Sequence, residues 1–313
     1  MRILITDGMD KAAMAQLREL GHEVVEQFYE PDQLGAALRD FDAVVVRSKT
    51  KVRASHIDEA KGGKLKLIIR GGVGVDNIDV KYAEENGIAV RNTPGASSQS
   101  VAELAMGHMF ACTRYISIAG HTMREGKWEK KAYGKGIELQ GKTLGIIGFG
   151  RIGQHLGVMA KAIGMNVIAY STTRRPEVEA KFGIPYVTLE ELLTQSDFIS
   201  LHAPAAPGAP LINADTIAKM KPGALLINAA RGPVVDSQAL ADALNSGYLG
   251  GAGIDVFETE PPLDPAHPLL HSKNTIVTPH VAFASAESME ARCKIVFDNI
   301  AQWMDGHQTN IIL

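Results

Sequence analysis

Three side chains of complementary chemistry each follow an apolar run that reads as a strand. They are Arg231 in INAARG, Glu260 in DVFETEPP and His280 in VTPH. A guanidinium fork can hold a carboxylate through two parallel hydrogen bonds. An imidazole can exchange a proton near neutral pH. A carboxylate beside that ring can orient it and balance its charge. Together the three could bind a small carboxylic acid and move a proton at the adjacent carbon. Singly, each has a plainer use: Arg231 as a helix cap, Glu260 as a solvated loop charge, His280 as a satisfied turn histidine. Their common place at the carboxyl ends of strands, where open α/β sheets gather their sites, argues for joint action.

A second motif supplies a partner for that chemistry. The apolar run Leu144–Ile147 enters the turn Gly148-Phe149-Gly150-Arg151-Ile152-Gly153, followed by a helix-like stretch and a second apolar run, Asn166–Tyr170. Strand, turn, helix and strand are the context that a G-x-G-x-x-G pattern requires. The first glycine permits the tight turn, the second lets a pyrophosphate approach the backbone, and the third lets helix and strand pack closely. The helix N-terminus offers free N–H groups to the phosphates. The alternative is a glycine turn used only for packing. A bound dinucleotide implies hydride transfer, with Arg231 as substrate anchor and His280 as proton acceptor.

The end of the second strand departs from the usual pattern. A carboxylate that holds a free ribose 2′-OH is expected about 20 residues past the turn. Here Ser171, Thr172, Thr173, Arg174 and Arg175 fill that place, and the next acid is Glu177. Hydroxyls and guanidinium groups suit a 2′-phosphate. The expected cofactor is therefore NADP or NAD, with NADP favoured. A solvated polar turn is the alternative.

The elements that must position these groups alternate along the chain. RILITD, HEVVEQ, AVVVRS, LKLIIR and IAVRN read as short buried strands, with MDKAAMAQLRELG and VKYAEENG as helices between them. TLGIIG, NVIAYS, DFISLH, ALLINAA, AGIDVF and TIVTPH repeat the scheme. This alternation predicts α/β architecture with two doubly wound parallel-sheet domains and a cleft between them. The predicted boundaries are 1–99 with 285–313 for one domain and 100–284 for the other. Asp236 is a predicted N-cap and Gly247 a helix stop. Ser100–Met123 reads as one long apolar helix, buried between domains or against another subunit. Residues 124–139 read as a polar linker and Ala286–Met304 as a final helix packed on the first domain.

Composition narrows the function classes. A net charge of −3 gives no global basic field for nucleic acid. No apolar run approaches the ~20 residues of a membrane span. The start, MRILITDGMD, lacks the apolar core of a signal peptide, and Cys112 and Cys293 read as buried thiols rather than a disulfide or metal site. A cytoplasmic location is expected.

GFGRIG, NAARG, DVFETEPP and TPH fall in the order and near the spacing of a known family. Over essentially its whole length the chain resembles the D-isomer-specific 2-hydroxyacid dehydrogenases. The resemblance implies a flavodoxin-like substrate domain and a Rossmann NAD(P)-binding domain. It implies that Arg231 binds substrate and acts in catalysis, that His280 is the acid/base, and that Glu260 is its partner. It places Gly148, Gly150, Arg151, Ile152 and Gly153 at the cofactor, where the residues at the end of the second strand add Ser171, Thr172, Arg174 and Arg175. It adds His202, Ala203, Pro204, Ala229, Ala230, Asp255 and Ala282 to that set.

VVVRSKTKV, IIRGGVGVDNID, NTPGASSQSVAELAMG and EGKWEKK look most like the D-3-phosphoglycerate dehydrogenase branch. On that likeness the N–H groups of Gly72, Val73 and Gly74 hold the substrate carboxylate. Arg47 and Arg70 lie near a phosphate, and lysines of KWEKK approach from a partner subunit. Otherwise the glycines form only a tight turn and the charges are surface groups. Three features depart from the branch: the missing acid at Ser171, the stretch HVAFASAE, and a chain that ends at Leu313, so that a C-terminal regulatory domain sensing serine is not expected. HVAFASAE looks closer to glyoxylate and hydroxypyruvate reductases or lactate dehydrogenases.

The expected reaction is hydride transfer between NAD(P)(H) and a small (R)-2-hydroxy acid, foremost 3-phosphoglycerate/3-phosphohydroxypyruvate. A glyoxylate/hydroxypyruvate reductase, a D-lactate-type dehydrogenase, a formate dehydrogenase and a dinucleotide-sensing co-repressor are the alternatives. The expected partners are a 2-hydroxy or 2-keto acid and a second copy of the chain, paired through Val101 to Ile116.

Overall fold

All eleven apolar runs predicted to be strands form strands. A computed structural model describes residues 1–261, 264–307 and 309–312, so Pro262, the last residue of DVFETEPP, lies outside the described residues. The chain divides into two units, Met1–Ser97 with Ala284–Leu313, and Ser98–Phe283.

In the first unit the strands are β1 (Arg2–Ile5), β2 (Glu23–Glu26), β3 (Ala43–Val46), β4 (Leu67–Arg70) and β5 (Ala89–Arg91). They pair in parallel in the order β2-β1-β3-β4-β5, the flavodoxin-like arrangement. Alternate residues face opposite layers, as the pleat requires. Leu4, Val44, Val46 and Ile68 pack with Leu34, Leu38 and Ile57 on one side. Ile3, Ile5, Val45 and Ile69 pack on the other with Met14 and Leu17 of the helix Lys11–Glu19. The final helix, Ala286–Met304, adds Val296 and Ile300 to that second layer. Ser285 caps it by accepting the Ser288 N–H, and Asp10 caps the first helix by accepting from Ala12 and Ala13.

In the second unit the strands are β6 (Thr143–Ile147), β7 (Asn166–Tyr170), β8 (Phe198–Leu201), β9 (Leu225–Asn228), β10 (Gly251–Ile254) and β11 (Thr275–Val277). Their parallel order is β11-β10-β9-β8-β6-β7. A parallel bridge from Ala169 to Tyr186 adds one more pairing outside β7, closed by Ala169 N–H to Pro185 O and Val187 N–H to Ala169 O, each 2.9 Å. Strand order reverses between β6 and β8, and ligands of open α/β sheets bind at such a switch point. Asp236 caps the helix Ser237–Ser246 and Gly247 ends it at φ 80°, as predicted.

The long apolar segment corrects the sequence reading. It is two helices, Ser98–Thr113 and Ile116–Arg124, broken at Tyr115, whose φ is +55°. The returning chain donates Ile137 N–H to Thr113 O at 3.1 Å, and Tyr115 packs on Tyr133 at 5.9 Å. The first helix is buried inside the second unit itself: Ala102, Ala105, Met106, Met109 and Cys112 pack with Leu144, Ile146, Leu156 and Ile227. Much of the apolar surface assigned to a subunit interface is therefore core. Phe110, Ile116, Ile118 and Met123 stay exposed.

Candidate active site

The three glycines of the turn after β6 have three different surroundings. Gly148 takes φ +95°, and a Cβ there would lie 2.6 Å from the carbonyl carbon and oxygen of His202. Only glycine lets the exit of β6 lie against the exit of β8. A Cβ on Gly153 would lie 2.6 Å from Gly148 O and 2.9 Å from Ile146 Cγ2, so the helix Arg151–Ala162 packs on its strand through a bare backbone. Gly150 meets nothing within 4 Å. It is the helix N-cap and makes no side-chain cap hydrogen bond, so Arg151 and Ile152 open the helix with N–H groups free of a side-chain cap. An open middle glycine beside an uncapped helix start fits a dinucleotide pyrophosphate.

The Ser171 segment is tied back to this turn. Ser171 Oγ accepts the Phe149 N–H at 2.8 Å, and Arg175 Nη2 donates to Phe149 O at 3.3 Å. The Phe149 ring is fully buried, edge-on to Phe182 and Tyr186. Thr172 and Arg174 are exposed. Arg174 lies near Glu191, whose carboxyl is held below its usual range chiefly by the Thr188 N–H and hydroxyl, with Arg174 adding to the effect.

The catalytic candidates sit on the loops after β9, β10 and β11. Asn228 closes β9 and pins its loop, donating to Arg231 O at 3.0 Å and accepting from Ala230 N–H at 3.1 Å. Arg231 Nη1 donates to Ala230 O at 2.7 Å. A Cβ on Gly232 would fall within the backbone of Phe257 and Glu258, so this loop presses directly on the one carrying Glu260. Glu260 accepts the Phe257 N–H at 2.6 Å through Oε1 and meets His280 Nδ1 at 2.5 Å through Oε2. Burial pulls its carboxyl upward, yet the hydrogen bonds from His280 and Phe257 and the nearby Arg231 charge outweigh that and hold it below the usual range. An ionised carboxylate only accepts, so the proton of this pair is on Nδ1, leaving Nε2 for a substrate.

His280 adopts φ +53°, a strained value for a residue with a Cβ. Asp255, fully buried, holds it there. The Asp255 carbonyl accepts the His280 N–H at 2.8 Å. Its Oδ1 accepts the Thr278 hydroxyl at 2.5 Å and the Val281 N–H at 2.9 Å, and its Oδ2 accepts the Ala282 N–H at 2.8 Å. Asp255 is among the residues expected at the cofactor, and its side chain is engaged inside the His280 loop. Ala282 is buried with it.

Ala203, Ala229 and Ala230 are half-exposed at the ends of β8 and β9, and Pro204 is exposed. The His202 ring hydrogen-bonds Ser200 Oγ through Nε2 at 2.9 Å, and Nδ1 has no partner among the described residues. Burial pushes its pKa down to about 4, which keeps it neutral.

The first unit has its own polar loop after β4. Arg70 lies across Gly72, donating from Nη1 to Gly71 O at 2.8 Å and from Nη2 to Ser48 Oγ at 3.2 Å. A Cβ on Gly71 would lie 3.5 Å from Arg47 Cγ and 3.7 Å from Arg292 Cδ. Burial lowers the pKa of Arg292, and the Arg47 charge lowers it further. Three arginines thus gather around Gly71 and Gly72, at the start of the loop that continues through the exposed Val73 to Gly74.

Sequence reading named Arg47 and Arg70 but not Arg292, which lies on the final helix, far along the chain from both. It also missed Asn228, Thr278 and His108. The polar end of an apolar strand was a usable signal for Asn228; nothing local marks His108. Among the described residues no group of three or more His, Cys, Asp or Glu could hold a metal, and no helix is long and apolar enough to cross a membrane.

A doubly wound sheet, an open glycine turn at its switch point and an Arg–Glu–His set at its strand ends define a nicotinamide-dinucleotide oxidoreductase. The profile of the D-isomer specific 2-hydroxyacid dehydrogenase NAD-binding domain matches residues 106–282. Hydroxypyruvate reductase of Thermotoga maritima is 48% identical over 290 residues, 92% of this chain and 93% of that one. D-3-phosphoglycerate dehydrogenase of Methanocaldococcus jannaschii is 44% identical over 308 residues, 98% of this chain but 58% of that one. A crystal structure of a Thermus thermophilus protein superposes over 100% of both chains with a TM-score of 0.90 at 34% identity. The chain belongs to the D-isomer-specific 2-hydroxyacid dehydrogenases and is an NAD(P)-dependent enzyme of that family.

Proposed function

We propose that the substrate is a 2-hydroxy or 2-keto acid carrying a second anion, with 3-phosphoglycerate and 3-phosphohydroxypyruvate the best fit. The observation that carries this reading is the set Arg47, Arg70 and Arg292 around Gly71 and Gly72. Guanidinium groups so placed could give a phosphate several charge-assisted hydrogen bonds. The adjoining N–H groups of Gly72, Val73 and Gly74 suit the carboxylate. Hydroxypyruvate itself is the second reading, favoured by the near full-length match to the Thermotoga maritima reductase. Steady-state kinetics with 3-phosphohydroxypyruvate, hydroxypyruvate, glyoxylate and pyruvate tests the choice. A phosphate preference of at least about tenfold in kcat/KM, lost in Arg47→Ala, is expected, that being the worth of one charge-assisted contact. Equal efficiency toward hydroxypyruvate would hand the assignment to the second reading.

The chemistry follows from the Arg231, Glu260 and His280 loops. A bound nicotinamide dinucleotide supplies the hydride acceptor in one direction and the donor in the other. Arg231 holds the substrate carboxylate and polarises the oxygen on C2. His280 takes the hydroxyl proton at Nε2 in oxidation and returns it in reduction. Glu260 stays ionised, fixes the Nδ1–H tautomer and balances the imidazolium charge.

The dinucleotide belongs to the second unit and the substrate loop to the first. NADP is the favoured form, because Ser171 replaces the ribose-binding acid while Arg174 and Arg175 add positive charge. A homodimer through the second unit would cover Phe110, Ile116, Ile118, Met123 and Trp128, which are exposed in one chain. The buried free thiols Cys112 and Cys293 suit a reducing cytoplasm.

A further inference from the structure

His108 lies on the helix Ser98–Thr113, almost fully buried, and none of the chemistry above uses it. Its ring rests on Gly253 of β10, where a Cβ would lie 2.6 Å from His108 Cβ and 2.8 Å from its Nδ1. A glycine in the middle of a buried strand thus makes the space that the ring occupies. Nε2 reaches Thr278 Oγ1 at 3.3 Å. The Thr278 hydroxyl has one hydrogen, and that hydrogen is committed to Asp255 Oδ1 at 2.5 Å. Toward His108 the hydroxyl can therefore only accept, so Nε2 carries the ring proton. Nδ1 is then a buried acceptor with no partner among the described residues.

A methionine or leucine would fill this place without an unsatisfied atom, so packing alone does not account for a histidine. What the histidine adds is one N–H, aimed at the hydroxyl two residues before His280. That hydroxyl and the N–H groups of Val281 and Ala282 all converge on the Asp255 carboxylate, while the Asp255 carbonyl takes the His280 N–H. Backbone in the left-handed region persists only where its surroundings over-determine it.

We propose that His108 is a positioning residue for His280. Through Thr278 and Asp255 it holds the segment Thr278–Ala282 in the conformation that keeps His280 Nδ1 on Glu260. This rests on the reading of His280 as the acid–base group. Asp255 is the charged group facing His108, and the role assigned to His108 requires no change in its own protonation.

The test compares His108→Met, which fills the space without a donor, with His108→Gln, whose amide can place an N–H near the position of Nε2. With any 2-keto acid that the wild type reduces, His108→Met should lower kcat about tenfold at nearly constant KM, a typical coupling between contacting groups. His108→Gln should recover most of the loss. The second readout needs neither substrate nor cofactor: the downfield proton NMR signal of His280 Nδ1–H, assigned by its absence in His280→Ala. It should broaden in His108→Met and stay sharp in His108→Gln. In a Thr278→Val background, His108→Met should have no further effect. Wild-type kcat and an unchanged signal in His108→Met would overturn the proposal, as would His108→Gln behaving no better than His108→Met. If the wild type reduces no 2-keto acid, the functional reading fails by itself, and the NMR comparison alone decides the role of His108.

Discussion

The second unit holds the two ends of its sheet in contrasting ways. At β9, β10 and β11 the proposed catalytic groups are fixed by buried partners: Asp255 with both oxygens engaged, Asn228 across its own loop, and Gly232 against the Phe257–Glu258 backbone. At β7 the segment Ser171–Arg175 is mostly exposed, and its links to the glycine turn are two hydrogen bonds to the backbone of Phe149. Buried, hydrogen-bonded groups are costly to displace, whereas exposed side chains rearrange readily. Substitution at the first end should impair turnover severely, and substitution at the second should retune cofactor choice.

The largest effect tests the first end. His280→Ala should lower kcat by roughly 10²–10⁴, the usual contribution of a general acid–base group, with dinucleotide affinity nearly unchanged. Stopped-flow turnover alongside a cofactor titration would show it, and wild-type turnover would remove His280 from the chemistry.

The next effect lies between the two ends, where His202 meets the glycine turn. Its folded pKa of about 4 is below the ordinary histidine value, so between roughly pH 6.5 and pH 4 the unfolded chain binds a proton that the folded chain does not. Stability is fully present above that window and falls as pH drops through it, by up to roughly 3 kcal/mol. His202→Gln should flatten this slope in urea denaturation at stepped pH. An unchanged slope would mean that carboxylates alone set it.

Arg231→Lys should cost about ten- to a hundredfold in kcat/KM, because an ammonium cannot reproduce a two-point grip on a carboxylate. Recovery of both constants by lysine would reduce the arginine to a point charge and weaken the contrast between the ends.

Ser171→Asp probes the loose end. The wild type should favour NADPH over NADH by about tenfold or more in kcat/KM, since one charge-assisted contact is worth about 1.5–3 kcal/mol. The aspartate should reverse the preference without lowering kcat for the better cofactor. Higher salt should weaken NADPH binding more than NADH binding. Wild-type efficiency equal for the two cofactors would mean that Arg174 and Arg175 do not read the ribose.

The sequence by itself determined the eleven strands, the glycine turn, and Arg231, Glu260 and His280 as one set. Each is a local signal: an apolar run with its turn, a glycine spacing, a polar residue at a strand end. Sequence did not reveal the break at Tyr115, because an apolar helical pattern runs through it and the returning Ile137 helps decide where the helix stops. Nor did it reveal the extra pairing at Tyr186, which is too short to form a run. Only tertiary structure showed that Gly232 leaves no room for a side chain, that Asp255 anchors the His280 loop, and that His108 sits on Gly253 to reach Thr278. It alone brought Arg292 beside Arg47. These facts depend on which atoms meet between residues as far apart in the chain as Arg47 and Arg292. Such meetings are set by strand order and close packing, in which one methyl group decides whether two loops can touch.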